Sequence, residues 1–426
     1  MINFLFFLFF NRFKLIYKAF IFFEVIFFII IFLFECSYAD ILLIKNDEDS
    51  LVYYVDNKSE YTVLINCSVH GDEGLPSDII NQFLYNGYFN KEFSYANYVI
   101  VLKPSKYRLE NKTRYSLEKI DPNRTYISLF SNSSKLILSL LNDYDIDLIL
   151  DLHEASYRNN IDFMYSNGFY SKFLLKFLKT YDIIYDTNKL KKIFEIENKI
   201  KDNQNLIFNQ LYQNYNINIS KYYINENIGG YDYVSILRNY GIIRKIPTVL
   251  FETVNKQNKK DITYKVYYYF FSNLKNYLKI LREYKIAMSE IEYNFKMYYL
   301  FDKNYDNIDI LKKYLNLNKI RYYYFERIEN LDKYNLVEYN IKEVNIDLDK
   351  AGLKGLIYVD FEIYKNQILA KNSIYNELNN SIIIPFSLLS FYLLDPNSKE
   401  SLFNFDILPM NYYKLKKLPL KVLYIK

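Results

Sequence analysis

The sequence predicts an α/β domain with a largely covered sheet, followed by one or two small β-rich domains. Three observations predict it. From Ile41 to Tyr284, short runs rich in Val, Ile and Tyr alternate with helical patterns, as strands and helices do in α/β folds. A long helical pattern from Lys265 to about Lys285 closes that part. From about Asp302 to Lys426 the pattern changes to many short runs, separated by turn signals such as Asp395-Pro396-Asn397.

Taken in order, Ile41–Ile44, Ser50–Val55, Tyr61–Val69 and Tyr98–Leu102 read as strands. Pro76 to about Tyr85 reads as a helix, with proline in the first turn and Ile79, Ile80, Phe83 and Leu84 at helical spacing. Leu136–Leu141 is helical, Asp147–Leu152 is a buried strand, and Phe173–Leu178 and Asn205–Tyr212 are helices. Thr248–Phe251 is a further short apolar strand. Beyond Asp302 the strand candidates are Tyr322–Phe325, Leu336–Tyr339, Gly355–Glu362, Ile382–Ile384 and Leu418–Ile425. The expected organisation is an N-terminal segment over 1–39, a main domain over 40–290 and a β-rich region over 300–426 in one or two modules.

Composition bounds the rest. The 426 residues are 51% hydrophobic and 24% charged, enough to bury a large core. The 48 Tyr and 34 Phe, with abundant Ile, Lys and Asn, read as a codon bias towards A and T and carry no functional inference. The net charge of +5 is spread among acidic residues with no basic block, so nucleic acid is not an expected partner. A mild attraction to an anionic polymer or membrane surface is compatible with it. With two cysteines, at most one disulfide can form, and Cys67 in a core strand reads as a small buried apolar residue.

The N-terminus has the order of a secretory signal. Arg12, Lys14 and Lys18 precede the apolar run Val25–Phe34, and Ser37-Tyr38-Ala39 offers small residues for cleavage after Ala39. Met1–Phe10 is also apolar and Glu24 interrupts the stretch, so a retained membrane anchor is the second reading. Leu33-Phe34-Glu35-Cys36 has the outline of a lipoprotein signal, with a bulky charge where a small residue is expected. Export places the protein in the periplasm or elsewhere outside the cytoplasm.

The chemistry starts from the two histidines of the chain, His70 and His153, each expected just after a strand and beside acidic residues. In Val69-His70-Gly71-Asp72-Glu73-Gly74, turn glycines are expected to let His70 and Glu73 face one point. A distant His153 completes two imidazoles and a carboxylate, a normal catalytic zinc set that leaves one position open. Glu252 ends a buried strand, where it can take a proton from an attacking water and return it to a leaving amine. Arg114 and the pair Asn123-Arg124 lie between the two half-sites, and a guanidinium fork suits a carboxylate or a developing oxyanion. Glu154 is the competing base, but it adjoins a ligand and is expected to point away from it.

This ordered set resembles the zinc metallocarboxypeptidases of the funnelin type, over roughly Ile41 to Tyr284. Asp121-Pro122-Asn123-Arg124 looks like the family's Asp-x-Asn-Arg segment. The resemblance implies that Asp121 supports His70 and that Asn123 and Arg124 grip a terminal carboxylate. Lys112-Thr113-Arg114 looks like the segment of the oxyanion arginine, and Gly229-Gly230-Tyr231-Asp232 with Tyr240-Gly241-Ile242 looks like the approach to the catalytic Glu252. It implies a carboxypeptidase-like fold, a mixed central sheet covered by helices. His153 follows Glu73 more closely than in digestive carboxypeptidases, a layout nearer to the peptidoglycan carboxypeptidases that determine helical cell shape. Those enzymes trim stem peptides from tripeptide to dipeptide, which makes the peptidoglycan stem peptide the expected substrate and zinc the expected cofactor. Tyr223 is out of register for the flexible tyrosine of digestive enzymes, so that role is unassigned. Two other readings stay open: an aspartoacylase-type zinc amidohydrolase, and a non-catalytic exported cell-wall binding protein.

Overall fold

The computed structural model describes residues 40–46, 50–103, 110–115, 120–156, 158, 160–183, 187–222, 233–292, 297–324, 333–347, 358–369, 381–395, 398, 402 and 417–424. The expected N-terminal signal over 1–39 with Cys36, the segment Gly229–Asp232, Tyr223 and the turn residues Pro396 and Asn397 lie outside them.

The first part runs β1 (Asp40–Asn46), β2 (Leu51–Asp56), β3 (Thr62–Cys67), α1 (Leu75–Tyr85), α2 (Tyr88–Lys91), β4 (Asn97–Lys103), α3 (Asn132–Asp143), β5 (Leu148–Ala155) and β6 (Phe163–Asn167). It continues with α4 (Tyr170–Tyr181), α5 (Thr187–Tyr215), β7 (Ile219–Lys221), α6 (Leu237–Ile243), β8 (Thr248–Val254), α7 (Lys259–Ser272) and α8 (Leu274–Glu292). Its eight strands form one mixed sheet in the order β1-β2-β4-β3-β5-β8-β6-β7. β3 pairs in parallel with β4 and β5, and β5 with β8, while β2 and β6 join antiparallel. The expected mixed sheet covered by helices is what the chain forms. β8 is buried at every position and β5 at all but its last two, the mark of strands covered on both faces.

Local chemistry sets the helix ends. Pro76 sits in the first turn of α1, where its missing N–H costs nothing. Ser131 caps α3 by accepting a hydrogen bond from Ser134 N. The expected single helix over Lys265–Lys285 is two helices, α7 and α8, with Asn273 between them and its N–H bonded to Phe270 O and Phe271 O. Apolar periodicity runs through the junction because both helices bury the same side of the chain, so periodicity alone does not show the break. Cys67 is a fully buried free thiol, and burial, with Asp151 nearby, pushes its pKa well up.

The second part is a six-stranded antiparallel sheet, β10-β13-β9-β14-β11-β12. Its strands are β9 (Met297–Asp302), β10 (Tyr323–Tyr324), β11 (Asn335–Asp347), β12 (Tyr358–Leu369), β13 (Ser381–Pro385) and β14 (Lys417–Tyr424), with helices α9 (Ile308–Leu317) and α10 (Leu388–Leu394). The two helices stand among the strands of the expected β-rich region. Ile308, Leu311 and Leu315 of α9 are buried at helical spacing, and Ser387 and Ser390 form a capping box on α10. The second sheet packs on the first part through Phe177, stacked 4.2 Å from Phe386, and through the buried Asp395, which accepts hydrogen bonds from Tyr181 and Tyr339. Among the described residues, no helix is long and apolar enough to cross a membrane.

Candidate metal centre and active site

The site forms where the parallel strands β3, β5 and β8 end together. A turn leads out of β3, and its left-handed residue is Ser68, with φ of 52°, rather than a glycine. Gly74 lies at φ −77°. The expectation that the turn glycines supply the unusual backbone is therefore corrected. Ser68 is held in place because its N–H donates to Leu152 O at 3.3 Å and its hydroxyl accepts from Ser77 Oγ at 2.7 Å. A non-glycine at positive φ costs of order 1 kcal/mol, a strain met most often at functional sites. After it, Glu73 N donates to His70 O at 3.2 Å, which curls the two side chains to one side.

His153 and Glu252 lie inside β5 and β8, not just beyond their strands as the sequence reading had it for His153. They are register partners in the parallel pair.

His70 Nδ1 is 2.7 Å from Glu73 Oε1, and His153 Nδ1 is 2.8 Å from Glu73 Oε2. The three residues are buried, and one ligand atom from each lies within 4.8 Å of the others. The opposite ring nitrogens are backed by carboxylates. His70 Nε2 is 3.1 Å from Asp121 Oδ1, and His153 Nε2 is 3.1 Å from Asp151 Oδ2. Two imidazoles aimed by carboxylates, plus a third carboxylate between them, are a donor set that fits zinc. Burial opposes the charge on Glu73, but His70 and His153 outweigh it and hold its carboxyl well below the usual range. Burial likewise opposes a proton on His153, yet Asp151 and Glu73 raise its pKa well above the ordinary imidazole value. Burial disfavours the Asp121 anion too, and His70, Arg124 and Arg114 overcome it.

The remaining expected residues surround a cleft of about 210 Å³, lined by Arg114, Asn123, Arg124 and Glu252 beside the three donors. Glu252 is buried, and burial pushes its pKa up to about 7 against the opposing pull of His153. Asp121 caps the turn Pro122–Arg124, accepting from Asn123 N at 2.9 Å. The Asn123 side chain is engaged with the protein: its Oδ1 accepts from Leu237 N at 3.0 Å and its Nδ2 is 3.4 Å from His153 Nε2. Arg124 reaches the cleft with Nη1 donating to Asn123 O at 2.8 Å. Arg114 binds Asp121 Oδ2 through Nε at 3.0 Å and Nη2 at 2.9 Å, and its Nη1 lies 3.5 Å from Glu73 Oε1. Glu154 also borders the cleft, but its carboxylate accepts from Leu75 N at 2.8 Å and pairs with Lys259 at 2.6 Å.

Asp151, Tyr222 and Arg238 join the site without having been among its expected residues. Asp151 carried a usable signal, since it stands two residues before His153 and so on the same face of the strand. Asn66, its register partner on β3, holds its other oxygen through Nδ2 at 2.8 Å. Tyr222 and the buried Arg238 line the cleft. Burial raises the Tyr222 pKa, and Glu252 adds to the rise.

No family model matches the chain, and no curated protein does. Solved structures do resemble it. A metallo-carboxypeptidase from Pseudomonas aeruginosa aligns with a TM-score of 0.41 and 12% identity over 55% of this chain and 62% of its own. A metallo-carboxypeptidase from Burkholderia cenocepacia gives 0.35 and 8% over 60% and 66%. A succinylglutamate desuccinylase from Chromobacterium violaceum gives 0.35 and 10% over 57% and 72%. The chain spans less than two thirds of the length of the first two.

Proposed function

We propose that the chain is an exported zinc carboxypeptidase that trims peptidoglycan stem peptides from tripeptide to dipeptide. One observation carries the hydrolase reading: His70, Glu73 and His153 converge within 4.8 Å while Glu252 stands beside His153 on the next strand. His70, Glu73 and His153 would hold the metal, with Asp121 and Asp151 fixing the two rings. When bound, zinc supplies Lewis-acid polarisation of the scissile carbonyl and activation of water.

The chain's own groups do the rest. Glu252, buried beside His153 on the next strand, is placed to take a proton from water and return it to the leaving amine. Arg124 supplies a fixed positive charge for a substrate's terminal carboxylate, and Asn123 ties that turn to His153 and α6. Arg114 holds Asp121 in place and borders the reacting centre, where a guanidinium stabilises developing negative charge. The signal-like N-terminus supports an extracytoplasmic substrate, and the stem peptide is a peptide with a free carboxylate end found there.

A second reading is an amidohydrolase that removes an acyl group from a small amino acid. The cleft volume of 210 Å³ favours it, since it is below the roughly 300–1,000 Å³ usual for ligand pockets. Mass spectrometry separates the two. Muropeptides and N-acyl amino acids are incubated with the protein from Asp40 onwards, with a chelator as control. Conversion of tripeptide to dipeptide with release of the terminal diamino acid supports the first reading. Deacylation with intact tripeptides supports the second.

A further inference from the structure

A groove of about 670 Å³, sharing no lining residue with the metal cleft, lies where the end of α6 meets the second sheet. Arg244 and Lys245 line it just after α6, Lys319 and Arg321 just before β10, and Tyr298 and Tyr323 add aromatic rings. None of its described lining residues is acidic.

Neutral acceptors fix two of the cations. Arg244 Nη2 donates to Asn142 Oδ1 at 2.9 Å and Nη1 to Asn318 Oδ1 at 3.3 Å, while its buried Nε has no hydrogen-bond partner among the described residues. Lys319 Nζ donates to Asn142 O. Arg321 is exposed and makes no ion pair among the described residues. Like charges gathered on one wall repel each other and build a positive potential that an anion relieves. Arg244 and Lys319 are already held, so for these two little ordering remains to be lost on binding.

We propose that this groove binds an acidic glycan, a chain of sugar rings carrying carboxylates. The cations come from two segments, Arg244 with Lys245 and Lys319 with Arg321, and Arg244 and Lys319 both donate to Asn142. Tyr298 and Tyr323 offer flat ring surfaces for sugar rings. Elsewhere the chain interleaves its charges, unlike the broad basic face of a nucleic-acid binder.

The groove and the cleft share one short helix. Ile236 at the start of α6 and Arg238 within it line the cleft, and Ile243 at its end lines the groove. Seven residues of helix span about 10 Å at about 1.5 Å per residue.

The test is a direct binding measurement on the full exported chain, by fluorescence anisotropy with a labelled oligogalacturonate. A neutral maltooligosaccharide and a single-stranded oligodeoxynucleotide of similar length serve as comparisons. The expected result is salt-sensitive binding of oligogalacturonate, weakened about tenfold in Arg321→Glu and retained in Arg321→Lys, with the neutral sugar bound far less well. No binding, binding unchanged in Arg321→Glu, or preference for the oligonucleotide would overturn the proposal. Binding is read without turnover, so its failure and the failure of the hydrolase reading are separate results.

Discussion

His153 and Glu252 stand opposite each other on the parallel strands β5 and β8. Side chains at paired positions of neighbouring strands leave the same face of the sheet, about 5 Å apart at the backbone. Asp151, two residues before His153, shares that face and lies 3.1 Å from the ring's far nitrogen. One stretch of sheet thus fixes His153, the carboxylate behind its ring and Glu252.

The metal site makes the first prediction. His70→Ala, Glu73→Ala and His153→Ala each lose zinc. Asp151→Asn keeps the ligand but loses the anion behind it, and zinc affinity falls about 10–100-fold. Competition with a chelator measures it. Unchanged affinity in Asp151→Asn would mean that the ring is aimed by other contacts.

Zinc and protons compete for His153, which gives a pH dependence with a definite sign. Its pKa in the metal-free protein is raised, with Asp151 and Glu73 outweighing burial. Below that raised value the ring is protonated, so zinc affinity falls as pH falls and rises with pH until the ring is neutral. Calorimetry in buffers of different ionisation enthalpy should detect protons released on zinc binding at neutral pH. Release of none would show the ligands already neutral.

Turnover should also fall on the acid side. Glu252 acts as a base only as a carboxylate, and burial pushes its pKa up to about 7 in the metal-free site. A bound cation pulls that value down, so the acid limb of kcat/KM lies at or below about pH 7. A limb well above neutrality would assign the base to another group.

The cluster of His70, Glu73 and His153 was legible in the sequence because the chain has only two histidines and both stand among strand and acid signals. The sheet was legible because β3, β5 and β8 each carry a short apolar run, Val63–Ile65, Leu148–Leu150 and Val249–Phe251. Contacts across the fold were not. Tyr222 enters the cleft because β7 pairs with β6, a pairing between short strands with little pattern of their own. The left-handed turn at Ser68 is set by Leu152 and Ser77, which no local propensity reports. The fork of Arg114 on Asp121 is likewise visible only in three dimensions. The missed α9 is different: Ile308, Leu311 and Leu315 carry a helical period that a β-rich reading of the region passed over.

The two arginines should separate kinetically. A terminal carboxylate is present in ground and transition states alike, so Arg124→Ala mainly raises KM. Charge on an oxyanion develops only near the transition state, so Arg114→Ala mainly lowers kcat. Because Arg114 also holds Asp121, its variant should bind zinc more weakly, and the comparison belongs at saturating zinc. The reverse pattern would exchange the two roles.

Gly241 makes a prediction about stability. A Cβ there would lie 2.2 Å from Thr248 Oγ1 and 2.9 Å from Ile149 Cδ1. α6 can pack this closely on β8 and β5 only without a side chain at that point. Gly241→Ala should cost about 1–3 kcal/mol and lower the melting temperature. An unchanged melting temperature would show that α6 can shift without loss.

The central claim is that His70, Glu73 and His153 form a catalytic zinc site served by Glu252. The most direct measurement is zinc content and peptide turnover of purified Glu252→Gln on the same sample. The expected result is one zinc per chain, an unchanged circular dichroism spectrum, and turnover reduced by about 10²–10⁴. Near-normal turnover with zinc in place would contradict it.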